Sequence, residues 1–550
     1  MKKIYFIALL AIMLSGCNDL LIEDDRANGE AASDQFYSTS KGYETLINVC
    51  YSTLKDIWGN EPFLFSAGTD LYETGKSPAP AGISTYLSLG STEQCVSDFY
   101  QRCYSGIQKC NIALYYGERT EETSDLPQLK AEAAFIRALY YFQLVQQFGG
   151  VPIVEEMISS PVLSFERKSA AEVYTFIISQ MEGLLGSLPE KSTGADFGRV
   201  DKRTVNHFLS KVYLTRGWET GIGSPQDFDK AISYGKAAIG TDGLTLPFKD
   251  VFKFGNEKNA EIIFSVQYDP VSMVNTKTDG NMQSAMFGTA VDPPTKGKNP
   301  TKNSYLIPSR HLFEIFQQDD ERYDATFLSM IHTYVLDYYF YTPAELATRN
   351  ISFYYPPHWA TTDADILAWR AIDPAHRTNT TVKKFDNMMF TDVQNFARPM
   401  VRKFDDPTAE VSGARVSSRD VFLARLAETY LNVAEAYLKK DGNGTNALAY
   451  VNAVRARAKT SLVNAADITI DFILDERARE MAGEYCRWND LKRTGKLKEY
   501  ASLYNSNIKS LIDLGTDPFK GTGGFDKILR PIPSSALDAN KADIQQNPGY

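Results

Sequence analysis

What most constrains this chain is a set of helical stripes that stop and then restart. Between 199 and 214, Val205, Phe208, Leu209, Val212 and Tyr213 fall at i, i+3, i+4, i+7 and i+8, which is one face of an α-helix. Between 421 and 438, Leu423, Ala427, Tyr430, Leu431, Ala434 and Leu438 mark a second such face. A third stripe, Leu448, Val451, Arg455 and Ala458, follows the turn Asp441-Gly442-Asn443-Gly444. Helix, short turn, helix, with alanines at the crossing points, is the pattern of a tetratricopeptide-type pair, and 204–217 with 228–240 reads as another. Further helices are expected at 42–58, 93–116 and 127–148. The last opens at Pro127 and closes at Phe148-Gly149-Gly150 before Pro152, with a partner at 170–186.

From 259 to about 420 the stripes vanish. The run 259–269 (NAEIIFSVQYD) reads as a strand, followed by loop-rich sequence with Pro293-Pro294 and Pro356-Pro357. The expected fold is mostly α, a tetratricopeptide-like scaffold of helical repeats enclosing a mixed, loop-rich insertion. Residues 36–550 form one domain: scaffold at 36–258 and 420–499, irregular insertion at 259–419, C-terminal segment at 500–550.

The N-terminus is a targeting segment. Lys2 and Lys3 precede eleven apolar residues at 4–14, then Ser15-Gly16-Cys17, which makes 1–16 a signal peptide. The run is shorter than the roughly 20 apolar residues that span a bilayer. Leu14-Ser15-Gly16-Cys17 resembles a bacterial lipobox, which implies cleavage before Cys17 and acylation of it. Two or more acyl chains hold a protein stably at a membrane. Residues 17–35 are polar and acidic (Asp19, Glu23, Asp24, Asp25) and read as a tether.

Composition narrows the function. A net charge of −10 opposes nucleic-acid binding, which needs a basic face. Removing Cys17 leaves Cys50, Cys95, Cys103, Cys110 and Cys486, with no CxxC, so mostly buried free thiols are expected and an isolated disulfide stays open. None of the five histidines forms HExxH, and there is no GxSxG, Walker loop or GxGxxG; no enzyme activity and no cofactor is expected. Asp319-Asp320-Glu321 invites a glycosidase reading but is better taken as a charged turn closing a helix at 308–317. Asp363, Asp365 and Asp373 could interest calcium, yet no EF-hand spacing is present and no metal site is assigned. Glu476, Arg477, Arg479, Glu480, Glu484, Arg487, Trp488 and Asp490 interleave at helical spacing and are expected to be a buried or half-buried ion network supporting the fold.

Several segments together resemble the RagB/SusD family of nutrient-binding outer-membrane lipoproteins. They are EAAFIRALYYFQLVQQFGGVPIV (132–154), IPSRHLFEIFQQDDERYDATF (307–327), RLAETYLNVAEAYL (425–438), NAVRARA (452–458), ILDERARE (473–480), RWNDLKRTG (487–495), RPIPSSAL (530–537) and the terminal QNPGY. His207 departs from the pattern, standing where a small residue is usual. The resemblance implies a lipid-anchored protein outside the outer membrane that binds an oligosaccharide or polysaccharide. It implies delivery of that nutrient to a TonB-dependent β-barrel transporter of the SusC type. A peptide or other nutrient, or a scaffold binding only protein, is the alternative. Sugars need flat apolar platforms and planar polar groups. The Gly-, Ser- and Pro-rich segment 59–92, read as a surface loop, and the ring-dense 333–369 supply both. The candidate ligand contacts are Asp70, Tyr72 and Glu73 in the first and Tyr354, Tyr355, Trp359 and Trp369 in the second.

Overall fold

The computed structural model describes residues 34–550 apart from 61, 62, 78, 272, 274–278, 289–303, 395 and 409–415. Cys17, the signal peptide and nearly all of the tether lie outside the described residues.

Ten helices of ten or more residues stand among the described residues: α1 Ser40–Trp58, α2 Gln94–Gly117, α3 Leu126–Phe148, α4 Ala170–Leu184, α5 Lys202–Trp218, α6 Pro225–Ile239, α7 Asp363–Ile372, α8 Leu426–Asp441, α9 Leu448–Arg457 and α10 Ile470–Met481. Several start where local chemistry caps them. The Ser169 hydroxyl accepts from the Glu172 amide while the Glu172 carboxylate accepts from the Ser169 amide, closing a capping box on α4. Asp201 caps α5, and Pro225 opens α6 behind Ser224. Gly149, Gly240 and Gly442 end α3, α6 and α8 with positive φ.

The scaffold is a relay of neighbours: α1 packs on α2, α2 on α3, α3 on α4, α4 on α5 and α5 on α6. The second sequence block then joins the first, because α6 also packs on α8. That crossing needs Gly235, where a Cβ would meet Val433 Cγ2 at 2.4 Å and Ser210 Oγ at 2.9 Å. α3 is buried almost all round, from Ala131 to Phe148, and forms the axis of the core. Among the described residues no helix is long and apolar enough to cross a membrane.

Among the described residues seven short strands form three small sheets: β1 Tyr72–Thr74, β2 Ile262–Val266, β3 Leu306–Pro308, β4 Met330–Ile331, β5 Phe353–Tyr354, β6 Thr381–Val382 and β7 Val421–Arg425. β2 leaves the first helical block, β7 enters the second, and they pair antiparallel, so the insertion is one excursion with its ends zipped together. The helical stripe expected from 421 therefore begins five residues late. Val421 and Phe422 suit a pleated surface and find partners in β2.

The segment 59–92 is not the surface loop its composition suggests. Leu64, Phe65, Ala67, Leu71, Ile83 and Tyr86 are buried, and β1 pairs antiparallel with β3. The C-terminal segment is equally internal. The Asn547 side chain donates to the carbonyls of Phe148 (2.9 Å) and Arg530 (2.8 Å), and the Arg530 amide donates to Gln147 O at 2.8 Å. Three motifs far apart in sequence, at 147–150, at 530 and at 547, thus form one knot at the end of α3.

The charged ladder is a buried network. Arg425 holds Glu261 (2.9 Å), Glu480 (2.6 Å) and Glu484 (2.6 Å), while Arg322 holds Asp320 (2.7 Å), Glu476 (2.8 Å) and Glu480 (3.0 Å). Arg455 and Arg479 add to Glu476, Arg457 bridges Glu261 and Glu480, and Lys403 reaches Glu484 at 2.8 Å. Burial opposes the charge on Glu476, but the guanidinium groups of Arg322, Arg479 and Arg455 outweigh it and hold the carboxyl down to about 2. Asp320 belongs to this network, so the Asp319–Glu321 turn is structural in its middle residue. Cys50, Cys95, Cys103, Cys110 and Cys486 are all buried free thiols.

Candidate functional site

The insertion builds a ring-lined wall on its small three-stranded sheet. β4 pairs antiparallel with β5, and β5 parallel with β6. Successive side chains on a strand point to opposite faces, and this alternation sorts the three adjacent rings of β5 and the residue after it. Phe353 and Tyr355 share one face. Phe353 stacks on Phe396 with centroids 4.6 Å apart, and the Tyr355 hydroxyl donates to Phe396 O at 2.8 Å. Tyr354 points the other way, toward α7.

α7 starts at a capping box between Thr362 and Asp365 and turns Ile366 inward. Trp369, one turn on, lies parallel to Tyr354 with centroids 3.9 Å apart and planes 3° apart. Arg377 donates to Trp369 O at 2.9 Å and sets its guanidinium 4.7 Å from the indole centroid. Tyr354 and Trp369 are both half-buried. Around them α7 exposes Leu367 (65%) and Ile372 (73%), and Met330, the register partner of Tyr354, is 40% exposed. The result is a half-buried aromatic stack with an apolar rim and a guanidinium over the indole.

The other expected contacts are placed differently. Tyr355 is fully buried, so its ring is core. Trp359 is half-buried and meets Tyr323 edge-on at 4.9 Å. The first-loop trio is interior. Asp70 is fully buried and accepts a fork from Arg487 Nε (2.9 Å) and Nη2 (2.5 Å). The Tyr72 hydroxyl accepts from the Gly483 amide at 2.7 Å, and burial pushes its pKa up. Glu73 pairs with buried Arg398 at 2.7 Å. In this structure all three brace the segment against the insertion and the C-terminal helices and present no surface to a ligand. Their polar character serves partners more than 300 residues away, which local reading does not see.

Among the described residues no group of His, Cys, Asp and Glu side chains is arranged to hold a metal ion. Asp363 pairs with Lys384, Asp365 caps α7 and Asp373 accepts from His376 at 2.9 Å. Buried His207 lies between Thr429 (2.8 Å) and Glu428 (3.3 Å), and burial lowers its pKa. Arg377, Met330 and Phe396 join the ring wall without any signal in the sequence, since each arrives from a different turn of the insertion.

The sequence profile of the SusD family matches residues 229–550, and that of a family described as starch-binding and associating with the outer membrane matches 42–214. This chain belongs to the SusD family. Among SusD-family relatives, SusD-like protein P2 of Formosa agariphila is 25% identical over 100% of this chain and 99% of its own. The starch-binding protein SusD of Bacteroides thetaiotaomicron is 27% identical, covering 85% of this chain and 80% of its own. Among solved structures, a laminarin-binding SusD-like protein superposes with a TM-score of 0.67 at 23% identity, over 93% of this chain and 100% of that one. The surface glycan-binding protein A of Bacteroides thetaiotaomicron in complex with laminarihexaose gives 0.66 at 19% identity, over 93% and 100%. The mostly helical scaffold is therefore the family's fold.

Proposed function

We propose that this protein is a lipoprotein of the outer-membrane surface that binds a neutral glucan and passes it to a SusC-type TonB-dependent barrel. The observation that carries the ligand is the half-buried Tyr354–Trp369 stack with its apolar rim, on a chain of the SusD family. Aromatic rings suit the C–H faces of pyranoses, and the Arg377 guanidinium beside the indole suits their hydroxyls. Starch and laminarin, named for two relatives, are both glucose polymers. Binding without chemistry is the reading, because capture and transfer need an accessible platform rather than a catalytic pair. Lipidation of Cys17 would keep the body at the membrane while the tether lets it reach a neighbour.

Calorimetric titration of residues 18–550 with laminarihexaose and maltohexaose tests the ligand. Binding of one of them, weakened at least tenfold in Trp369→Ala, is the expected result. No heat with either, but heat with mixed peptides, would replace the glucan with a peptide nutrient. Cys17→Ala should move the full chain from the membrane fraction to the soluble one; retention of that variant in the membrane would remove the anchor.

A further inference from the structure

On the helical scaffold, a cleft of about 670 Å³ opens between α1, the turn at 194–199 and the end of β2. Its α1 wall is a polar stripe: Glu44, Asn48, Ser52 and Lys55 follow helical spacing and are all exposed. Tyr51, Phe197 and Tyr268 line it as half-buried rings.

The cleft is built rather than incidental. The Tyr51 hydroxyl donates to Glu132 Oε2 at 2.9 Å and accepts from the Val200 amide at 2.9 Å, which pins the ring by its polar tip. Arg199 grips the same Glu132 through Nε (3.1 Å) and Nη2 (2.7 Å) and sets its guanidinium carbon 5.7 Å from the Tyr51 centroid. Nη1 takes no part in that ion pair. The Gln267 side-chain amide donates to Phe197 O at 2.7 Å and closes the turn onto β2. Gly198 sits there at φ 92°, and a Cβ on it would come within 2.0 Å of that amide. Glu44, Asp196, Asp269 and Asp279 outnumber Lys55 and Arg199 along the walls, which disfavours an anionic ligand.

Rings, a fixed guanidinium and planar polar side chains in a cleft of this size are what an uncharged sugar needs, small-molecule sites running roughly 300–1,000 Å³. We propose that this cleft is a second carbohydrate site, one that takes a short stretch of neutral oligosaccharide independently of the ring wall on the insertion. The proposal rests on the glucan reading above, but its residues are different, so the two fail separately.

The test is calorimetry with laminarihexaose and maltohexaose on residues 18–550, comparing the unmodified chain, Asn48→Trp, Asn48→Ala with Lys55→Ala, and Trp369→Ala. Position 48 is exposed on α1, so a tryptophan there fills the cleft without entering the core. Asn48→Trp should lower the stoichiometry by one hexaose per chain, and the double alanine variant should weaken that same event about tenfold. Trp369→Ala should leave it in place. Wild-type stoichiometry and affinity in both cleft variants would overturn the proposal while leaving the glucan reading standing. Silence of the unmodified chain toward both hexaoses would overturn both.

Discussion

Two acidic or aromatic residues can look alike in sequence and do opposite work. Asp70 is fully buried and answers Arg487, whereas Trp369 is half-buried against Tyr354 at the surface. Asp70→Asn should therefore cost about 3–5 kcal/mol of stability by leaving a buried guanidinium uncompensated, with ligand affinity unchanged in the fraction that folds. Trp369→Ala should do the reverse, losing at least tenfold in affinity while the melting temperature falls by a few degrees. Urea unfolding beside a binding titration separates the two; a stable Asp70→Asn that has lost its ligand would return that residue to the binding surface. The ring-dense stretch is legible as a candidate platform because aromatics in a loop-rich insertion are conspicuous. Which of its rings face out is not legible, since that depends on the pleat of a two-residue strand. Only the structure sends Tyr354 outward and Tyr355 into the core.

At the scale of elements, the long helices of the scaffold are readable to within a few residues, because a stripe at helical spacing and its caps are local signals. What locality does not reveal is pairing between distant segments. β7 replaces the first turn of a helix because β2 waits for it, and 59–92 goes inside because Arg487 and Arg398 neutralise its acids. Helix crossings obey the same logic. Gly235 lets α6 approach α8 and α5, so Gly235→Ala should overpack that crossing and cost about 1–3 kcal/mol. Gly183 in α4 has open space where a Cβ would stand, with nothing within 4 Å, so Gly183→Ala should be neutral or slightly stabilising. Chemical denaturation of the pair checks this, and equal midpoints would mean that the crossing is slack.

The whole molecule is tied together by its interior charges. Glu476, held at about 2, and Glu480 and Glu428, both lowered, sit below the usual carboxylate value of roughly 4.3. Groups lowered in the folded state stabilise it above their unfolded value, and the contribution is lost as pH falls through the folded one. The melting temperature should accordingly drop steeply between about pH 4.5 and 2, and Glu476→Gln should flatten that slope while lowering stability at pH 7. A melting temperature constant over this window would contradict an ionised core. Such a network fixes the scaffold against which the insertion and the α1 cleft are displayed, and display is the protein's proposed task.

Affinity electrophoresis of residues 18–550 through gels containing starch or laminarin tests that task most directly. A glucan-displaying surface should show retarded migration in at least one of the two gels, relieved when Trp369→Ala and Asn48→Trp are combined. Migration equal to that in an empty gel, for both polysaccharides, would contradict it.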